Sequence, residues 1–261
     1  MQSANLVART AARLSGQIER TAESLLALLY PPACASCETP LLEWDGDTYL
    51  CPSCTATIAR LVPPWCVRCG EPLASDMIDL CERCAAQEVP FERLRSFGRY
   101  DGVLADLIRA LKFGGERALV RQLADYLNEV ADLEMRERMQ AITFVPMTRR
   151  AVRARGFNQA ELLARQLGRR LSKPVISALC KVRETRPQVE LSAAERQENL
   201  REAFMARKDP RYGRILLVDD VYTTGATLME CSRALRAAGY EKIYALTLAR
   251  APLAQDVDDD A

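Results

Sequence analysis

The sequence has no histidine. That absence removes every Ser-His or Cys-His nucleophilic pair and every zinc finger built on mixed Cys/His ligands. Any proton transfer therefore falls to carboxylates, lysine, tyrosine, cysteine or the substrate itself. Net charge is nearly missing too: 36 Lys+Arg stand against 35 Asp+Glu, so no global field draws the chain to nucleic acid or to an anionic membrane, and only local patches remain for such roles. No apolar run reaches the roughly 20 residues of a membrane-spanning helix. Arg9 and Arg13 precede a short apolar block at 25–30, as in a secretory leader, yet Glu19 and Glu23 interrupt it. Pro31, Pro32 and a cysteine pair then stand where a small-residue cleavage site belongs. The expected location is cytoplasmic. Residues 1–30 are expected to form an amphipathic helix, with Leu14, Ile18, Leu25 and Leu29 at helical spacing and the two prolines as its stop.

What the chain does have is cysteine in pairs. Eight of its ten cysteines fall into four C-x-x-C pairs: Cys34/Cys37, Cys51/Cys54, Cys66/Cys69 and Cys81/Cys84. "CASCETPL" aligns with "CVRCGEPL" and "LCPSC" with "LCERC", so one module occurs twice. Two thiolates on a tight turn can place both sulfurs about 2.3 Å from one ion, and a second such turn completes a tetrahedron of soft ligands. Disulfides need an oxidising compartment, and thioredoxin-type pairs need a βαβ surround that is not there. Iron–sulfur ligation shares the ligands but seldom this paired geometry. The reading is two structural zinc ions in a double zinc ribbon over 31–90. Pairing within each repeat is favoured by the duplication, while interleaved pairing, first with third and second with fourth, uses the same residues. The stretch has too few large apolar side chains for a core of its own, so metal binding supplies its folding free energy, on the order of 10–16 kcal/mol per site.

From residue 91 the pairs give way to apolar periodicity. At 261 residues there is room for a full-sized domain beside the small one. Helices are predicted over 100–112, 116–130, 159–171, part of 193–203 and 225–238. Strands are predicted over 142–147, 175–182, 214–218 and 242–248, and their continuous apolar character suits a parallel sheet covered on both faces. The domain is assigned to 91–252, followed by an acidic tail at 253–261, including Asp258 to Asp260, read as disordered. Cys180 and Cys231 lie in apolar periodic segments and are expected to be buried thiols.

Open parallel sheets bind ligands at the carboxyl ends of their strands. There the stretch "ILLVDDVYTTGATLMEC" places Asp219 and Asp220 after an apolar strand, followed by Val221, Tyr222, Thr223, Thr224, Gly225, Ala226 and Thr227 at the start of a helix. Backbone N–H groups at such a turn lack intrahelical partners and suit a phosphate, with the hydroxyls adding donors. The carboxylates repel a phosphate, so they suit sugar hydroxyls or a magnesium ion. Together they describe a phosphorylated ribose. An ordinary N-cap after an acid-ended strand is the bland alternative.

Three further stretches bear on the same sheet edge. "VPMTRRAVRARGFNQAE" offers a basic loop with Arg149, Arg150, Arg153 and Arg155, then Asn158 and Gln159, with Asn158 and Glu161 resembling a capping box. Its arginines suit a pyrophosphate leaving group, against a simply solvated cluster. "LKFGGE" offers Lys112 as a phosphate contact, against a plain helix C-cap. Residues 183–200 suit a lid carrying Arg186, Gln188, Arg196 and Asn199, against a surface loop. Phe157 and Trp65 are stacking candidates better explained as core.

The acid pair and threonine turn resemble the phosphoribosyl pyrophosphate (PRPP) loop of type I phosphoribosyltransferases. Together with the cysteine pairs, "LKFGG", "RGFNQA", "T-x-x-Q-x-x-L-S-x-x-E-R-x-x-N" and "VDDVYTTGAT", the chain resembles the competence protein F (ComF/GntX-like) family over most of its length. The resemblance implies a type I phosphoribosyltransferase-like α/β fold, an open parallel sheet preceded by the zinc ribbons. It implies PRPP bound with magnesium at Asp219, Asp220 and residues 223–227, and a role in DNA uptake during natural transformation or in growth on DNA. Purine phosphoribosyltransferases carry a further acid four residues after the first of the pair; here Thr223 stands there, which argues against purine salvage. Two readings follow: a transferase of unknown acceptor, or a PRPP- or nucleotide-sensing adaptor whose ribbon and basic loop meet single-stranded DNA or a DNA-uptake helicase or translocation protein.

Overall fold

The computed structural model describes residues 32–42, 44–183 and 202–251. The expected N-terminal helix, the lid residues Arg186, Gln188, Arg196 and Asn199, and the acidic tail lie outside them. The chain divides into two compact units, Met1–Ala56 and Thr57–Ala261. The division runs between the two cysteine repeats, so the second repeat belongs to the same unit as the sheet.

Each repeat is built by the same bonds. In the first, the Cys34 N–H donates to the Thr39 carbonyl (2.8 Å) and the Glu38 N–H to that of Cys34 (2.9 Å). In the second, Cys66 donates to Glu71 (2.7 Å) and Gly70 to Cys66 (2.9 Å). These hairpin knuckles lead to short helices, α1 (Pro52–Ala56) and α2 (Glu82–Ala86), which carry the later cysteines. The matching turn residues, Glu38 and Gly70, share a left-handed backbone at φ 61° and 69°. Gly70 alone is forced to be glycine, since a Cβ there would come within 2.9 Å of the Leu94 carbonyl.

The sulfurs of Cys34, Cys37, Cys51 and Cys54 lie within 4.8 Å of one another, and so do those of Cys66, Cys69, Cys81 and Cys84. Cys37 and Cys51 are 3.7 Å apart and Cys69 and Cys81 3.6 Å, close to the roughly 3.8 Å edge of a tetrahedron with 2.3 Å zinc–sulfur bonds. Pairing is thus within each repeat, and the interleaved scheme is ruled out.

The second unit carries six described strands, β1 (Arg93–Arg99), β2 (Ala141–Phe144), β3 (Leu179–Lys181), β4 (Phe204–Ala206), β5 (Arg214–Tyr222) and β6 (Lys242–Arg250). Four of them form an all-parallel sheet in the order β1-β6-β5-β2. Helices α3 (Gly102–Arg109), α4 (Val120–Val130), α5 (Leu133–Arg138), α6 (Arg149–Arg155), α7 (Gln159–Leu171) and α8 (Ala226–Ala237) connect them. Helices α4 and α7 pack on each other over one face, and α8 covers β5 and β6 from the other. The central strands are consequently buried on both sides, as their unbroken apolar runs require. Leu228, Cys231, Ser232 and Leu235 turn inward from α8 at helical spacing.

Several sequence expectations are corrected. The stretch 175–182 is not a strand of the parallel sheet: Val175 makes one parallel bridge to Ile142, then the chain leaves and β3 pairs antiparallel with β4. The Cys180 thiol is exposed there, not buried, whereas Cys231 is buried. The missing parallel strand is β1, hidden in the sequence by Arg93, Arg95, Ser96 and Arg99. Arg95 is tolerated in the interior because it donates to the carbonyls of Leu94 (2.8 Å) and Val67 (3.2 Å) and lies over the Trp65 ring. The outer edge of β1 is covered by residues 59–61, through Leu61 to Phe97 (3.0 Å) and Arg99 to Ala59 (2.8 Å). Phe157 is core, as expected.

Metal analysis of the purified chain is expected to return two zinc ions, and Cys84→Ser to return one. Fewer than two in the unsubstituted protein would contradict the two-site geometry.

Candidate functional site

The carboxyl ends of β2 and β5 open on a cavity of about 670 Å³. The loop after β2 supplies Val145 to Thr148, β5 and the turn after it supply Asp219 to Thr223, Gly225 and Thr227, and Lys112 enters from the segment following α3. That segment, Ala110–Gly114, is π-helical and ends at Gly115 with φ 72°. Lys112 lines the cavity and the glycine terminates the helix, as the C-cap reading of "LKFGGE" expects.

Strand β5 runs two residues beyond the acid pair, so Asp219 and Asp220 sit inside the sheet and are both buried. Alternation along the strand turns them to opposite sides. Asp220 accepts an ion pair from Lys112 (2.8 Å) and a hydrogen bond from Gln159 Nε2 (2.6 Å). Gln159 in turn accepts from Arg155 (2.6 Å), so the basic segment reaches the acid pair through an amide. Burial works against the Lys112 charge, but the Asp220 carboxylate outweighs it and holds the ammonium above its usual range. At Asp219 the balance is different, since its burial is offset only in part by Lys112 and Lys181. Its carboxylate accepts the Asp220 N–H (2.9 Å), while burial, and then the Asp220 charge, push it up to about 8.

After Tyr222 the chain turns through Thr223, Thr224 and Gly225, and α8 begins at Ala226. Gly225, at φ 79°, is obligatory on two counts: the left-handed backbone, and a Cβ that would meet the Tyr222 hydroxyl at 2.4 Å. The helix start presents N–H groups beside Thr223 and Thr227, which line the cavity.

The remaining expected residues divide. Arg149–Arg155 is a helix, α6, not a loop: Thr148 caps it by accepting the Ala151 N–H (3.2 Å), and Gly156 ends it at φ 85°. Arg150 lines the cavity; Arg149 and Arg153 are exposed away from its lining. Asn158 is used by the backbone, accepting from Ala160 (3.0 Å) and Glu161 (3.4 Å) and donating to the Val145 carbonyl (3.0 Å). The capping box is half made, because Glu161 pairs with Arg165 (2.7 Å). Sequence reasoning missed Lys181 and Phe204, brought to the cavity by β3 and β4. Their antiparallel pairing spans a long sequence separation with no local signal. It also missed Tyr100 and Phe113, the latter 76% exposed.

A buried parallel strand carrying two adjacent acids near its carboxyl end, with a threonine-rich helix start beside them, is the arrangement of a phosphoribosyltransferase domain. The phosphoribosyl transferase domain family matches residues 127–261, and the double zinc ribbon domain family matches 25–85. Competence protein F of Haemophilus influenzae is 38% identical over 179 residues, covering 66% of this chain and 78% of the relative. DNA utilization protein YhgH of Salmonella typhimurium is 31% identical over 85% of this chain and 99% of its own length. Competence protein ComFC of Streptococcus pneumoniae is 27% identical over 80% and 91%. The chain belongs to the competence protein F (ComF) family. The crystal structure of orotate phosphoribosyltransferase from Aeropyrum pernix aligns with 52% of the chain and 60% of its own at 26% identity and a TM-score of 0.34, below the level of a shared overall fold. Among the described residues no helix is long and apolar enough to cross a membrane.

The raised Asp219 group has a consequence for stability. The unfolded carboxyl loses its proton near pH 4 and the native one only near 8, so native stability falls as pH rises through that window. Asp219→Asn is expected to raise the melting temperature of the ligand-free protein, with an increment that grows from about pH 5 to about pH 8 by at most about 1.4 kcal/mol per unit. An increment constant with pH would contradict the assignment.

Proposed function

We propose that the chain binds PRPP with magnesium, through Asp219 and Asp220 on the ribose diol and residues 223–227 on the 5-phosphate, and that it does so in the cytoplasm in support of DNA uptake or the use of DNA as nutrient. The observation that carries the reading is that both acids and the α8 start line one cavity. The names of its relatives, competence proteins and DNA utilization proteins, supply the biological context. We assign 31–90 to the ribbons and 91–252 to the ligand-binding domain, although the second ribbon is grouped with the sheet.

The donor set fits magnesium only in company. Asp220 is already engaged by Lys112 and Asp219 retains a proton near neutrality, so two carboxylates do not make a cage by themselves. Magnesium is commonly held by one or two carboxylates together with substrate phosphates, and here the diphosphate of PRPP supplies the remaining oxygens. When bound, the ion neutralises charge on the diphosphate. Lys112 and Arg150, both at the cavity, suit the departing pyrophosphate, and Arg155 orients Gln159. Transfer of ribose 5-phosphate to an acceptor of unknown identity is the enzymatic form of the proposal.

One observation favours the second, sensing, form. The Lys112–Asp220 pair must open or be shared when a diol takes Asp220, so occupancy can be converted into movement of the segment 110–114. In that form the partner is single-stranded DNA or a DNA-translocation protein.

Calorimetric titration with magnesium–PRPP is expected to show binding to the unsubstituted chain and a loss of about 10- to 100-fold or more in Asp219→Asn/Asp220→Asn, on the basis of about 10- to 100-fold for the charged hydrogen bond to Asp220. Unaltered affinity in the double variant would remove the pocket assignment. Pyrophosphate release with a candidate acceptor selects the transferase form.

A further inference from the structure

Tyr222, buried at the end of β5, lies between two guanidinium groups. Arg83 stands 5.4 Å from its ring centroid and Arg250 4.4 Å. Both arginines are tied to the second four-cysteine group. Arg83 sits on α2 between Cys81 and Cys84. Arg250, at the end of β6 and 3% exposed, donates to the Cys69 carbonyl (2.8 Å), approaches the Cys69 sulfur (3.5 Å) and pairs with Glu71. Arg83 also donates to the Thr224 carbonyl (3.0 Å) and to the Tyr222 hydroxyl. The Tyr222 ring closes over Gly225, the residue just before α8.

These bonds form a closed circuit. It runs from Cys69 through Arg250 to Tyr222, along the backbone to Thr224, and back through Arg83 to the helix that bears Cys84. A ribbon serving only as a separate module does not require one arginine to be buried and a second half-buried for this purpose. Helix α2 is five residues long, too short to be stable alone, so the position of Arg83 depends on metal ligation by the cysteines on either side of it. Hydrogen bonds around a metal site ordinarily orient its ligands. Here they also reach the ligand loop.

We propose that the second four-cysteine site is the outer support of the ligand loop: Arg83, seated between two metal ligands, fixes the loop through the Thr224 carbonyl and the Tyr222 hydroxyl, so the loop keeps its ligand-ready shape only while that site holds zinc. The consequence for affinity rests on the reading of this loop as the PRPP site; the support itself does not. Arg83 is a positioning residue, since it meets the backbone of the loop rather than the ligand.

The test uses the full chain without ligand. Amide hydrogen exchange of the 222–228 segment is compared for the unsubstituted protein, Arg83→Ala, Cys84→Ser and Glu82→Ala, with zinc content measured in each. Arg83→Ala is expected to keep two zinc ions and to speed exchange in this segment roughly tenfold or more, confined to the loop. Cys84→Ser is expected to lose one zinc and give the same loop change. Glu82, exposed on the same helix, gives neither. Should Arg83→Ala fail to fold, Tyr222→Phe removes the hydroxyl acceptor while keeping the ring, and the same loop-confined increase is expected. Exchange unchanged in Arg83→Ala, or raised equally across the sheet and in Glu82→Ala, overturns the proposal. A parallel magnesium–PRPP titration is expected to weaken about 10- to 100-fold in Arg83→Ala. If the unsubstituted chain binds no PRPP, the pocket reading fails while the exchange result still decides the support.

Discussion

Two adjacent carboxylates inside a strand covered on both faces are the constraint to which much of this unit answers. A buried charge is costly unless it is paired, and the fold gives each acid a different remedy. Asp220 receives Lys112 from a π-helical turn and the Gln159 amide from the start of α7. Asp219 is pushed toward its protonated form, because burial and the Asp220 charge outweigh the opposing pull of Lys112 and Lys181. The segment 110–114, the first residue of α7 and the continuation of β5 thus owe their positions to the same pair. Such an arrangement subtracts from the stability of the empty protein, which is the usual condition of a site kept ready for a ligand.

Much of this is legible in the sequence. The helix at 159–171 shows both its cap and its apolar face locally, and β5 and β6 announce themselves as unbroken apolar runs. The cysteine repeat is a pattern of identities, so its metal ligands are legible in the sequence, whereas the choice between pairing within repeats and interleaved pairing needs the sulfur positions. What could not be read depended on partners distant in sequence. Arg95 makes β1 look polar until Val67 and Trp65 are placed beside it. The pairing of β3 with β4 leaves no trace in either segment. The basic run at 149–155 reads as a loop because its arginines lack an apolar periodicity, yet a threonine cap and a glycine stop make it helical. At the candidate site the acids and the threonine turn were visible, while Lys181 and Phe204 were not, and Lys112 was recognised without its partner Asp220.

The duplicated ribbon shows how copies of one module diverge in use. Both repeats close the same hairpin bonds around four sulfurs. The second has acquired Arg83 within its C-x-x-C, where the first has Ser53, and its Cys69 lies beside Arg250. A structural metal therefore stands next to the turn that begins α8, within the unit that holds the cavity. In a protein whose relatives are named competence proteins and DNA utilization proteins, the ribbon is on this proposal part of the site's construction rather than an appendage to it.

The central claim is that one sugar phosphate spans the acid pair and the turn before α8. A crystal structure of the chain with magnesium–PRPP tests it most directly. The expected result is density for the ribose hydroxyls at Asp219 and Asp220 and for the 5-phosphate at residues 223–227, with Lys112 shifted from its place on Asp220. PRPP lodged outside this cavity, or an unchanged acid pair and an empty turn at saturating ligand, would contradict it.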